Sequence, residues 1–404
     1  MKAVVFHDVG DIRLDNVEDP KIQEPTDAIV RLTSSAICGT DLHMVRGTLA
    51  GMVPGTILGH EAVGVVEEVG SQVRNLNVGD RVVIPSTIGC GYCMFCRNGF
   101  YAQCDNANPN GPQAGTAFYG GPQPTGPFDG LQAEYARIAY ANVMPVKLPE
   151  NVTDEQAIMI SDIFPTAYFG ADIAEVEDGD TVAVFGCGPV GQFSIASAWL
   201  MGAGRVIAVD KDQSRLEMAR AQGAEVINFD EEEPVQTIME LTGNIGVDRV
   251  IEAVGVDAQR AHSGPAAEEG EQMEGEFQTE LNRVAPETNP QGDTWVPGDA
   301  PSQSLLWAAQ SVMKAGVIGV IGVFPPQAMT FPIGTLQQRN LTVRGGNCNH
   351  RKYMPKLVGL VATGALDPTD ILTQTEPITG AIEAYEAFDR RQPGWIKVEL
   401  NPAA

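Results

Sequence analysis

Between Thr181 and Asp210 the chain reads TVAVFGCGPVGQFSIASAWLMGAGRVIAVD, and no other stretch limits its possible folds so tightly. TVAVFG is a short apolar run suited to a buried strand. PVGQFSIASAWLMGA is long enough for a helix, and RVIAVD returns to a strand. Strand, helix and strand in this order make a parallel crossover unit. The alternation continues with QSRLEMARAQGA as a helix, VDRVIEAVG as a strand and KAGVIGVIGVF as another central strand. The expectation is an α/β chain built on a doubly wound parallel sheet. The run from Thr181 to Gly204 is uncharged and long enough for a membrane span, but Gly186, Gly188, Pro189 and Gly191 cluster where a span would have to stay helical, and Gly202 and Gly204 follow. No membrane helix is expected.

The turn between the first strand and its helix carries G-x-G-x-x-G as Gly186, Gly188 and Gly191. Alone that spacing is weak. Following a strand, opening a helix and preceding Asp210 by nineteen residues, it is a dinucleotide fingerprint. Gly188, with Val190 next to it, lets the backbone approach a pyrophosphate at the helix N-terminus. Asp210 can accept hydrogen bonds from ribose hydroxyls and would repel a 2′-phosphate, which favours NAD over NADP. The basic Lys211 and Arg215 beside it pull the other way, and Arg215 is counted among the cofactor contacts.

The first third of the chain, with short runs such as AIVRLTSSAI and HEAVGVVEEVG between turn residues, reads as a β-rich, barrel-like domain. Residues 256–304 interrupt the nucleotide half with ten Asp/Glu, two Arg and many Pro, Gly, Gln and Asn, and read as a solvated, partly disordered loop. After Asn347 a helix is expected at GAIEAYEAFDRR and a closing strand at WIKVEL. With 404 residues, two or three domains are expected. The balance of 52 acids to 26 bases leaves a formal charge of −26, which argues against nucleic acid and anionic membranes as partners. Salt adaptation and plain solubility explain that acidity equally well. MKAVVFHDVG has no secretory pattern, and seven cysteines, four of them clustered, suit metal binding in a reducing cytoplasm better than a disulfide scaffold.

The cluster is Cys90, Cys93, Cys96 and Cys104, spaced C-x2-C-x2-C-x7-C in GCGYCMFCRNGFYAQC. Four thiolates on one segment can enclose a tetrahedral ion, and zinc prefers that soft, closed shell. An iron–sulfur cluster is the competing occupant, since cysteines two residues apart also ligate clusters.

CGTDLH contains Cys38, Thr40, Asp41 and His43, and GHEAVGVVEEVG contains His60 and Glu61. Here the chain resembles the medium-chain zinc alcohol dehydrogenases, in which Cys-Gly-Thr-Asp-x-His precedes Gly-His-Glu and a four-cysteine loop holds a structural zinc. The resemblance implies a GroES-like catalytic domain over 1–165 and 346–404 and a Rossmann domain over 166–345 that carries the insertion 256–304. It implies two zinc ions per chain, one structural and one catalytic. Cys38 and His60 would bind the catalytic ion, with Asp41 fixing the His60 tautomer and Glu61 close behind the metal. Thr40 would take the proton of the substrate hydroxyl and pass it through the nicotinamide ribose to His43, which could otherwise be a plain surface histidine.

Where a second cysteine ligand is usual, this chain has ISDIFPTAYFGA, and Asp162 stands at the matching position. The same phrase resembles the bacterial glutathione-independent formaldehyde dehydrogenases. The other reading of Asp162 is a cap on the following helix. The resemblance also places Val254 and Val323 against the nicotinamide and Lys397 near the pyrophosphate. LTVRGGN resembles the edge strand through which family members form homodimers or homotetramers. It implies hydride transfer to NAD from a small alcohol or an aldehyde hydrate of the formaldehyde type. Larger alcohols, polyols and thiol adducts are the alternatives, and a zinc-free or non-catalytic member of the fold is a distant one. An insertion in the same place covers the cofactor in the resembled dehydrogenases, so part of 256–304, around Trp295 and Pro297, is expected to fold over NAD, against the alternative of a surface loop or oligomer contact.

Overall fold

The computed structural model describes residues 1–111 and 113–403. Its contacts divide the chain into two units. One comprises Met1–Pro165, Asn289–Trp295 and Asn347–Ala404, and the other Thr166–Thr288 and Val296–Gly346.

The first unit contains β1 (Lys2–Asp8), β2 (Asp11–Asn16), β3 (Ala28–Ile37), β4 (Ala62–Val69), β5 (Arg81–Ile84), β6 (Tyr135–Ile138) and β7 (Val146–Lys147). The second contains β8 (Thr181–Phe185), β9 (Arg205–Asp210), β10 (Glu225–Asn228), β11 (Val247–Glu252), β12 (Val312–Val320) and β13 (Thr342–Gly345), after which β14 (Gln374–Pro377) and β15 (Val398–Asn401) complete the first.

In the second unit the sheet order is β10-β9-β8-β11-β12-β13, every pair parallel. This is the doubly wound arrangement expected from the alternation, with the order reversing between β8 and β11, where such sheets take their ligand. The uncharged run that matches a membrane span in length is β8, a glycine turn and the helix Pro189–Leu200. Among the described residues no helix is long and apolar enough to cross a membrane.

The acidic segment departs from its expectation. Ala267–Val284 is an 18-residue helix. A thin apolar stripe makes it so: Phe277, Leu281 and Val284 recur at helical spacing and are buried or half-buried, and Leu281 and Val284 pack with Val256, Phe324 and Ala328. Apart from the buried Glu280, the glutamates occupy the remaining, exposed faces, which is why composition alone suggests disorder. Trp295 lies outside that helix. It belongs to the first unit, where its indole is buried with Phe6, Ile12, Leu42 and Tyr385, and its backbone N–H donates to Asp389 Oδ2 at 2.7 Å.

In the first unit the order is β14-β15-β3-β4-β5-β7, with β6 also on β3. The antiparallel registers decide where function can sit. Ser35 pairs with Ala62, Ala62 with Ile84, and Val398 with Ile37. The end of β3, the start of β4, the end of β5 and the start of β15 therefore meet at one sheet edge.

Candidate active site and metal centres

That edge gathers the chemistry. Cys38 follows β3, His60 and Glu61 precede β4, Ser86 and Thr87 follow β5, and Lys397 precedes β15. The helix Asp154–Ser161, started by a Thr153–Gln156 capping box, ends where Asp162 begins. Ser161 secures that end by donating to the Ile84 carbonyl and accepting from the Ala62 N–H. Cys38 is the N-cap of the helix Gly39–Arg46, and its N–H donates to Asp41 Oδ2 at 2.9 Å.

One donor atom each from Cys38, His60, Glu61 and Asp162 falls within 4.8 Å of the others, and all four residues are buried. Asp162 Oδ2 lies 3.7 Å from Cys38 Sγ and 3.6 Å from His60 Nε2. Bond lengths around a tetrahedral zinc put neighbouring donors about 3.3–3.8 Å apart. The three side chains are thus spaced as three corners of one coordination shell. The Asp162 carboxylate is shared: its Oδ2 faces Cys38 and His60, while Oδ1 accepts from Ser86 Oγ at 2.7 Å and from His350 Nε2 at 2.8 Å.

The electrostatics fit a bound cation. Burial pushes the Cys38 thiol up, so the thiolate needs a positive partner to form. Burial alone would also raise Asp162, but hydrogen bonds from His350 and His60 hold it well below the usual carboxylate range. His60 is pushed well above its ordinary value despite burial, because Asp41 and Cys38 surround it. His60 Nδ1 faces Asp41 Oδ1 at 3.1 Å without forming a well-aligned hydrogen bond, and Glu61 Oε2 is buried with no hydrogen-bond partner among the described residues.

Lys397 precedes β15, which pairs with the end of β3. Its ammonium is therefore fully buried, 2.5 Å from Glu61 Oε1 and 3.1 Å from the Ile37 carbonyl. Its charge is paired with Glu61. Burial pushes the Glu61 carboxyl up to about 7 even against the pull of Lys397, and Glu61 in turn holds the Lys397 ammonium above its usual value against burial. His43 is no surface histidine: it is buried, and its Nδ1 lies 2.9 Å from Thr48 Oγ1. Thr40 is half-buried, its hydroxyl 4.0 Å from Cys38 Sγ. Sequence reasoning missed Ser86 and His350. His350 is one of only five histidines, and that scarcity was the one available signal.

In the four-cysteine loop Gly91 and Gly99 take positive φ, and the four sulfurs lie within 4.8 Å of one another. Backbone N–H groups of Tyr92 and Cys93 point at Cys90 Sγ, that of Cys90 at Cys104 Sγ, and that of Cys96 at Cys93 Sγ. Chiefly through Cys96, Cys104 is drawn down to about 5, as expected where thiols crowd one point. Cys93 and Cys104 sulfurs are 3.9 Å apart, close to the edge of a single-ion ZnS4 tetrahedron. With all four sulfurs within 4.8 Å of one another, the spacing fits a single ion rather than ligands spread over two or more irons.

In the second unit each fingerprint glycine has a distinct reason. A Cβ on Gly191 would fall 1.8 Å from the Gly186 carbonyl oxygen, and one on Gly186, at φ +88°, would meet Val254 at 2.7 Å. At Gly188, the N-cap of its helix, nothing lies nearer than Arg215 at 3.8 Å, so the space before it is open for a ligand. Val190 is half-buried on that helix's first turn, and Val254 and Val323 are half-buried past the ends of β11 and β12. Asp210 accepts from the backbone N–H of Cys187 at 2.7 Å, of Lys211 at 2.7 Å and of Asp212 at 3.0 Å, which ties it to the glycine turn.

A chain that combines a parallel doubly wound unit carrying a glycine-turn phosphate cradle with a unit carrying a Cys-His-Asp cluster and a four-cysteine loop is built as a zinc-dependent dehydrogenase. The family models described as alcohol dehydrogenase GroES-like domain and zinc-binding dehydrogenase match residues 24–150 and 189–269. The uncharacterized zinc-type alcohol dehydrogenase-like protein AdhB of Bacillus subtilis is 38% identical over 100% of both chains. The glutathione-independent formaldehyde dehydrogenase of Pseudomonas aeruginosa is 37% identical over 66% of this chain and 69% of its own. Among solved structures, the alcohol dehydrogenase TADH from Thermus sp. ATN1 is similar at TM-score 0.80, with 34% identity and 99% of both chains covered. The chain belongs to the zinc-dependent medium-chain alcohol dehydrogenase family and is an oxidoreductase acting on small molecules.

Proposed function

We propose that this protein oxidises a small alcohol or an aldehyde hydrate of the formaldehyde type with NAD, using one catalytic and one structural zinc per chain. The observation that carries the reading is the spacing of Asp162 Oδ2 against Cys38 Sγ and His60 Nε2, which fits three ligands of one tetrahedral ion. A zinc held there supplies Lewis-acid polarisation of the substrate oxygen, and NAD in the glycine cradle supplies the hydride acceptor. The Asp41 carboxylate, 3.1 Å from Nδ1, favours a proton on that nitrogen, which would leave Nε2 of His60 to hold the metal. Thr40 accepts the substrate hydroxyl proton, and His43 on the same helix, steadied through Nδ1 by Thr48, carries it onward. Asp210 binds the ribose hydroxyls.

The four-cysteine loop holds the structural ion. The exposed edge of β13 supports pairing with a second copy, as a homodimer or homotetramer. Seven free thiols support a reducing, cytoplasmic setting. The test is NADH formation, followed by absorbance, against formaldehyde, a series of linear alcohols, polyols and hydroxymethyl-glutathione. Formaldehyde or a short alcohol should give the highest kcat/KM. A clear preference for polyols or the thiol adduct would move the substrate to those classes.

A further inference from the structure

The carboxylate of Asp162 is divided between two surroundings. Oδ2 faces Cys38 and His60. Oδ1 receives Ser86 Oγ–H at 2.7 Å and His350 Nε2 at 2.8 Å. A carboxylate oxygen only accepts, so the proton of that second bond sits on Nε2.

His350 is held to this duty from its other sides. It is buried, and Thr87 Oγ1 lies 3.0 Å from Nδ1. It opens the helix His350–Ala362, whose N-cap Asn349 accepts the Ala102 N–H at 3.0 Å. Ala102 lies between Cys96 and Cys104, in the short helical turn Tyr101–Gln103. The four-cysteine loop thus anchors the start of the helix that carries His350.

We propose that His350, assisted by Ser86, is a positioning residue that keeps Asp162 a one-oxygen ligand of the catalytic metal. A free carboxylate can offer both oxygens to one ion, which would raise a three-residue site toward five-coordination and fill the position a substrate needs. With Oδ1 engaged by two donors, only Oδ2 is left to the metal, and the fourth position stays open. The inference rests on Asp162 being the third ligand.

The test is cobalt(II) placed in the catalytic site, with zinc retained in the four-cysteine loop. Visible d–d absorption and X-ray absorption coordination numbers are read for wild type, D162N, S86A, H350A and H350Q. Tetrahedral cobalt absorbs far more strongly than five-coordinate cobalt. H350A and S86A should show weakened bands, a higher coordination number and metal binding weaker by about 10–100-fold. H350Q, whose amide can still donate to Oδ1, should keep the wild-type bands. Zinc content of the four-cysteine loop reports that each variant is folded, and S86A serves should H350A fail this check. Wild-type spectra in S86A and H350A beside an altered D162N would overturn the positioning role. An unaltered D162N spectrum would overturn the ligand assignment beneath it.

Discussion

Lys397 Nζ lies 2.5 Å from Glu61 Oε1, and neither side chain has exposed surface. Removing one partner of such a pair leaves an unpaired buried charge, which costs about 3–5 kcal/mol. K397M and E61Q should each lower the unfolding free energy by that order in denaturant titrations. The double variant should lose less than the sum of the two, and strictly additive losses would show that the pair is not coupled.

The two metal centres should separate by mutation. Elemental analysis should find two zinc ions per chain. C93S should lose one of them with a clear drop in melting temperature, since Cys93 contributes one of the four clustered sulfurs. H60A should lose the other and all turnover while keeping the fold. Iron with a visible charge-transfer band would refute the zinc assignment of the four-cysteine loop.

Gly188 and Gly191 should fail differently. An alanine methyl at 191 would sit 1.8 Å from the Gly186 carbonyl, so G191A should destabilise the nucleotide unit itself. At 188 the methyl meets nothing closer than 3.8 Å in the protein, so G188A should melt near wild type yet bind cofactor at least tenfold more weakly. Undiminished binding by G188A in a fluorescence titration would place the pyrophosphate elsewhere.

D210G should raise the ratio of NADP to NAD use, measured as kcat/KM, by about tenfold or more, because it removes the anion that repels a 2′-phosphate while Arg215 stays beside Gly188. Use of both cofactors should weaken, since Asp210 also holds the Cys187 N–H. A wild-type enzyme that already prefers NADP would end this account of Asp210.

Asp389 joins two distant segments: Oδ1 accepts from Arg46 Nε at 2.8 Å and Oδ2 from the Trp295 N–H at 2.7 Å. D389A should release residues 289–295 to limited proteolysis and cost about 3–5 kcal/mol through loss of the buried ion pair with Arg46. D389N, which can still accept from Trp295, should resist proteolysis better. Equal cleavage of wild type and D389A would remove the anchoring role of Asp389.

The sequence by itself determined whatever depends on neighbours in the chain. Strand, turn and helix around Gly186–Gly191 are legible because backbone sterics and hydrophobic period act over a few residues. So are the four clustered cysteines, since one short loop supplies all their sulfurs. The helix Ala267–Val284 was hidden because its apolar stripe is narrow and its partners Val256 and Phe324 come from other segments. Trp295 could not be placed, because its burial depends on a core assembled from both ends of the chain. Lys397 and His350 lie far in sequence from Glu61 and Asp162. Only the pairing of β15 with β3, and the seating of the helix at His350 beside the loop after β5, bring each to its carboxylate. A charge has no sequence pattern of its own. Its partner is whatever opposite charge the tertiary structure buries beside it, because a charge withdrawn from water must find one there.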